Sequence, residues 1–365
     1  MVLRAGDSVA IGSLAGYNAT GSNNTFVGHE AGKGGNSSAP YSSGGSNTAV
    51  GKSALDGFTT GYSNVAVGRN ALGGVGTGYR NIGIGHGAAG NITTGNSNVA
   101  VGYNALKLAG TTSKQVAVGN NALHTTQAGT GNTALGHNTL YQNSSGDNNV
   151  AIGYQAGFFG AAKSDNVIIG YNAGYYATGS SNTFVGGNAG KGGTTSAPYS
   201  SGQNNVAVGY EALKAFTTGT LNIAIGYQAS LGVSTGAKNV VIGRASFSSA
   251  TTTSNVVLIG DEAGKNINST GADGTVAIGY QAGTAVTSGN NNVFMGYLAG
   301  SSTTTGYSNT MIGFEAGNDN TTGYENTFIG QKAGHHGDVT SHQSYQNVYV
   351  GSFAGENVDD GARNV

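Results

Sequence analysis

The chain has no cysteine and no tryptophan, and only 2 of its 365 residues are proline. Without cysteine there is no disulfide framework and no thiol nucleophile, and the redox compartment stays open. Near-absence of proline, with glycines that do not fall at every third position, excludes a collagen helix. Charged residues make up 8%, against about 25% in an average globular domain. Fifteen basic and sixteen acidic residues leave a net charge of −1. That balance offers no footprint for nucleic acid or an anionic membrane. No apolar run approaches the ~18 residues of a membrane span, and the opening M-V-L-R-A-G-D-S lacks a secretory apolar region.

What the chain has in excess is glycine, 67 residues, and a repeat. The phrase N-V-A-V-G recurs twenty times, and its glycine serves as origin, from Gly12, Gly28, Gly51 and Gly68 through to Gly351. Of the nineteen intervals, thirteen are 17 residues; the others are 16 (twice), 23 (twice), 19 and 21. No boundary interrupts the series, which predicts one continuous domain over 1–365.

Each position has a character. The residues one and three before the origin are apolar or β-branched, such as Val65 and Val67, which predicts a strand. The residue between them is Ala in ten copies and often bulky elsewhere, as at Phe26, Ile168 and Phe328. A strand apolar on both faces is covered on both faces. With the valines and isoleucines turned inward, the alanine–phenylalanine row is expected to lie against sister chains. Ala stands three after the origin in eighteen copies, and glycine seven before it in fourteen. Each unit therefore reads as strand, glycine corner, short small-residue strand, turn. Seventeen residues are too few for a βαβ crossover, so the expected fold is all-β: a parallel β-solenoid of about twenty coils, in total roughly 95 Å long at ~4.8 Å per coil.

Asn fills the fourth position before the origin in sixteen copies, including Asn24, Asn64, Asn98, Asn149, Asn222, Asn309 and Asn347. Stacked one per coil, these side chains are expected to form a structural amide ladder rather than a ligand contact. Stacked like charges would repel, which accounts for the low charge content. One thin coil leaves an apolar strand face uncovered, so several chains are expected to wind side by side, three being the natural number about a rotational axis.

The unit N-V-A-I-G-Y-Q-A (Asn149 to Ala156) resembles the head repeats of YadA-type trimeric autotransporter adhesins and the related repeats of phage and viral fibre proteins. The resemblance spans almost the whole chain. It implies a left-handed β-roll, trimerised along its length, at a virion surface or otherwise extracellular, that meets a host glycan or protein receptor. The turns here are longer than those of the adhesin heads, and no stalk or anchor barrel follows, which favours a virion fibre over a bacterial adhesin head. Both ends cut through a repeat, so the chain is expected to be a piece of a longer fibre or to dock onto another copy or fibre protein.

Several features are candidates for contact. Both 23-residue intervals begin A-G-K-G-G and contain S-A-P-Y-S-S-G, giving loop insertions at 32–46 and 190–204 with Lys33, Pro40, Tyr41, Lys191, Pro198 and Tyr199. Their offset of 158 residues recurs at neighbouring origins, so a block of nine coils has been duplicated. The loops are either receptor contacts or features inherited with the block. Tyr follows the origin at Tyr103, Tyr154, Tyr171, Tyr210, Tyr227, Tyr280 and Tyr297. That row either stacks on itself and stiffens the molecule or stacks against sugar rings. A His-bearing loop at 335–346 offers His335, His336 and His342 as weak metal candidates beside a plain polar-loop reading. The G-x-G-x-x-G at Gly85, Gly87 and Gly90 has no room for the helix a dinucleotide site needs. No catalytic constellation and no cofactor motif is expected. The leading function is a non-enzymatic attachment fibre; a self-assembling filament subunit and an ice-binding solenoid are the alternatives.

Overall fold

The computed structural model describes residues 6–35, 41–160, 162–193, 199–249, 252–335, 345–356, 358 and 362–364. The chain is all-β, a parallel β-solenoid in which each of the twenty repeats supplies one three-residue strand. Among the described residues there is no α-helix, only a single 3₁₀ turn at Thr270–Ala272. Two compact units divide the chain, Met1–Ser180 and Ser181–Val365.

In the first unit the strands run from β1 (Val9–Ile11) to β10 (Val167–Ile169), and each pairs with its sequence neighbours in parallel. The register advances by one repeat without slippage: Thr48 opposes Val65, Ala49 opposes Ala66 and Val50 opposes Val67. The second unit repeats this from β11 (Thr183–Val185) to β20 (Val348–Val350). Equivalent residues therefore stack in columns.

Among the described residues the expected second short strand is not formed. After each origin glycine the chain turns, because two of the next four residues adopt a left-handed conformation, as at Asn70 (φ 56°) and Leu72 (φ 51°). A third such residue precedes each strand, Ser63 (φ 55°) in the same coil. Non-glycine residues visit this region rarely, at a cost of about 1–2 kcal/mol each. Hydrogen bonds to the coils on either side hold them there: Asn70 N–H donates to Lys52 O at 3.0 Å, and Leu72 N–H to Ala88 O at 2.9 Å. The origin position itself requires glycine. Gly68 has φ 123°, and a Cβ there would lie 2.7 Å from the Gly85 carbonyl oxygen.

The strand faces the opposite way from the expectation. Alanines and phenylalanines at the middle strand position are buried in the coil, as are Phe26, Ala49, Ala66, Ala100, Phe184, Phe294 and Phe328. The flanking valines and isoleucines point out, with Val50, Val67, Ile84, Ile225 and Ile242 all 37–40% exposed. The physical reason is volume. Where the middle residue is Ala, the fourth residue after the origin is usually a buried Leu: Ala49 with Leu55, Ala66 with Leu72, Ala100 with Leu106. Where it is larger, that position is Gly in all coils but one: Phe26 with Gly32, Phe184 with Gly190, Met311 with Gly317 and Phe328 with Gly334, the exception being Val241 with Phe247. A side chain on Gly32 would enter the Phe26 ring. These two positions thus trade volume across one shared interior, a large side chain on one facing a small one on the other in most coils, as close packing demands. Phe58 and Phe216, which correspond in the duplicated block, add buried rings 5.8 Å from Phe26 and 5.5 Å from Phe184 respectively.

Candidate functional site

The outward strand residues build the most extensive surface feature. In the first unit, ten stacked strands expose only Val, Ile, Thr and Leu on this face, two residues per strand. Three-residue strands stacked at ~4.8 Å make a ribbon about 10 Å wide and about 43 Å tall. An uncharged apolar strip of about 430 Å² is on the scale that marks an interaction site. The second unit presents the same ribbon, with Met295 as its one sulfur-bearing member.

Alongside the strands runs the asparagine column. Asn64 is fully buried; its Nδ2 donates to Asn47 Oδ1 at 3.2 Å and to Gly78 O at 2.9 Å. Its Oδ1 accepts the backbone N–H of Asn81 at 2.9 Å. The same arrangement recurs at Asn98, Asn149, Asn222, Asn309 and Asn347, and Asn24 Oδ1 accepts from Asn47 N–H. Every group on the amide is used, leaving none for a ligand. Gln115 continues the column, whereas Val256 has no side-chain amide and only donates its backbone N–H to Asn239 Oδ1 at 3.2 Å.

The tyrosine row stacks on itself. Tyr154 and Tyr171 lie 5.6 Å apart at 11°, Tyr210 and Tyr227 5.6 Å apart at 17°, and Tyr280 and Tyr297 5.1 Å apart at 13°. Tyr103 tilts against His86 at 5.3 Å. Each stacked pair covers one face of each ring, while Tyr171 and Tyr210, separated in the column by Gly187, stay 57% and 49% exposed. Two further aromatic columns escaped the sequence reading: Tyr307, Tyr324 and Tyr345 in one, and His124, Tyr141, Phe158 and Tyr175 in another. Their signal was present as aromatic residues at one repeat's spacing.

Of the loop candidates, Lys33 pairs with Glu30 at 3.0 Å, Tyr41 is 36% exposed, and Lys191 and Tyr199 are half-buried. Pro40 and Pro198 lie outside the described residues. His335 Nδ1 is 3.6 Å from Asp319 Oδ2, while His336 and His342 lie outside the described residues. Among the described residues, no cluster of three or more His, Cys, Asp or Glu is placed to hold a metal.

Charge is managed locally. Lysines three residues on hold the Glu30, Glu211 and Glu262 carboxyls below the usual range through hydrogen bonds. One charge is different. Lys163 stands in a column that is usually glycine, and its side chain turns into the coil over Gly157 and Gly160. It is completely buried, and Nζ donates to Gly157 O at 2.7 Å, Phe159 O at 2.9 Å and Ala177 O at 3.5 Å. Burial pushes its ammonium down to about 7.

No protein-family model matches the chain, and no curated protein is similar to it.

Proposed function

We propose that this chain is a non-enzymatic segment of a left-handed, homotrimeric fibre that attaches to a host surface, with a phage or other virion fibre favoured over a bacterial adhesin head. The observation that carries the reading is the uncharged Val/Ile/Thr ribbon, which a single chain leaves in water. Its occupant is the same ribbon of further copies. A flat strip of repeating β-branched residues complements itself, and three such strips close about one axis with none left over. The resemblance of the repeat to trimeric adhesin heads and viral fibres supports the same count. A columnar surface whose asparagine ladder is already paired suits a shaft better than an active-site cleft.

Mass photometry tests this directly. The expected species has three times the 36.1 kDa of one chain. Replacing Val67 and Ile84 together with lysine is expected to lower that mass while the strand signal in circular dichroism persists, since both side chains already point outward. A stable wild-type monomer would overturn the proposal.

A further inference from the structure

One surface position breaks the columnar rule. Five residues after the origin, successive coils of the first unit carry Asp56, Gly73, Gly90 and Lys107. Two missing side chains in a row open a notch of about 450 Å³, closed at one end by a carboxylate and at the other by an ammonium. Three coil spacings separate those ends, about 14 Å. The neighbouring column loses a side chain at the same level, at Gly87, and the Asn104 carboxamide leans into that space, its Oδ1 2.6 Å from where a Cβ on Gly87 would sit.

Asn104 brings a carboxamide to the wall of the notch. It is only 7% exposed and lines the notch, yet its carboxamide has no hydrogen-bond partner among the described residues. Several side chains of that column pair from coil to coil, Asn121 with Asn138 at 3.2 Å, Gln228 with Glu211 at 2.9 Å and Gln281 with Glu262 at 2.9 Å, whereas Asn172 Oδ1 also has no partner among the described residues. The amide N and O of Asn104 are not sealed from water, so a ligand that enters the notch can reach them directly. Asp56 likewise forms no ion pair among the described residues, and it is half-buried.

The duplicated block supplies an internal control. At an offset of 158 residues, Asp56, Gly73, Gly87, Gly90 and Asn104 correspond to Lys214, Leu231, Ala245, Ser248 and Glu262. There the side chains are present and the charges paired, Lys214 with Glu211 at 2.6 Å and Lys265 with Glu262 at 2.9 Å. The fold therefore does not require the notch.

We infer that the notch between Asp56 and Lys107 binds a short oligosaccharide. Its floor is bare glycine backbone and its walls are amides, one imidazole and a single charge of each sign. No aliphatic side chain lines it, so an apolar ligand gains little there. One ammonium opposed by one carboxylate does not make a phosphate or polyanion site. A hydroxyl-dense chain matches: Asp56 accepts from paired hydroxyls, while Asn104 and Lys107 donate to ring and hydroxyl oxygens. The inference rests on the attachment reading for its biological setting and gives the receptor a chemical class.

The test uses the full chain on a printed array of surface oligosaccharides, with chitotetraose and maltotetraose as soluble probes in titration calorimetry. The wild type is expected to bind at least one class. Gly73→Leu, which installs the residue found at the corresponding position of the second block, is expected to weaken binding about tenfold or more by filling the notch. Asp56→Asn, which changes shape little, is expected to weaken it similarly through loss of a charge-assisted acceptor. If Gly73→Leu unfolds, Asp56→Asn alone decides. No binding by the wild type across the array and both probes, or binding indifferent to the decisive variants, would overturn the inference. The solution mass is independent of either outcome, so a trimer that binds no sugar sinks only this site. A sugar-binding monomer sinks only the fibre.

Discussion

Lys163 gives the sharpest quantitative expectation. Its ordinary value of 10.5 falls to about 7 in the folded chain because burial penalises the ammonium. Between those values the unfolded chain binds a proton that the folded chain does not, so stability rises with pH across that window. At 1.36 kcal/mol per unit, the whole interval is worth about 5 kcal/mol. The contribution is fully present above about 10.5, fades as pH falls, and is gone below about 7, where the charge is buried. Lys163→Met keeps the length and removes the titration. Three carbonyls lose a donor, at about 1–3 kcal/mol for any left unsatisfied, but that cost does not vary with pH. Urea unfolding of both proteins, followed by tyrosine fluorescence, is therefore compared at about pH 6, 7.5 and 9. The wild type is expected to gain about 3 kcal/mol relative to the variant between about pH 6 and 9. Parallel pH profiles would refute the reasoning, because they would mean that the ammonium stays fully solvated or fully charged.

Two other outcomes follow from packing and the amide column. Gly32→Leu alone is expected to destabilise the first unit by several kcal/mol, since the new side chain meets the buried Phe26 ring. Adding Phe26→Ala should recover most of that loss, because it recreates the Ala66 and Leu72 pairing, in which Leu72 has a φ of 51° against 55° at Gly32. A thermal-melt double-mutant cycle with no coupling would contradict the volume rule. Asn64→Ala removes a donor shared by Asn47 Oδ1 and Gly78 O and the acceptor for Asn81 N–H. The expected loss is about 3 kcal/mol or more, since buried partners are left orphaned. An unfolding transition within experimental error of wild type would argue against the column as a source of stability.

Much of the fold was legible because a solenoid turns sequence period into spatial neighbourhood. Once coils stack, Asn47, Asn64 and Asn81 can only meet one another, so the amide column followed from spacing alone. The orientation of the strand was not read correctly, although a signal existed. The alternation of Phe26 with Gly32 against Ala66 with Leu72 is a volume trade, and only residues sharing one interior trade volume. Lys163 was missed because a lysine in a polar sequence reads as surface. Its occupation of a glycine column, three residues after Gly160, was the clue. The glycines of the notch were visible as letters, but no spacing rule says that Asn104 is buried and unpaired.

The repeat by itself determined the period, the strand position, the parallel register and the identity of residues in each column, because each is a one-dimensional property that stacking copies into space. Only the tertiary structure decided which strand face is interior, where a buried ammonium finds its carbonyls, and where two absent side chains become a recess. Those depend on the cross-section of the coil, whose limited volume is traded between the positions that share it and leaves the flanking valines and isoleucines outside.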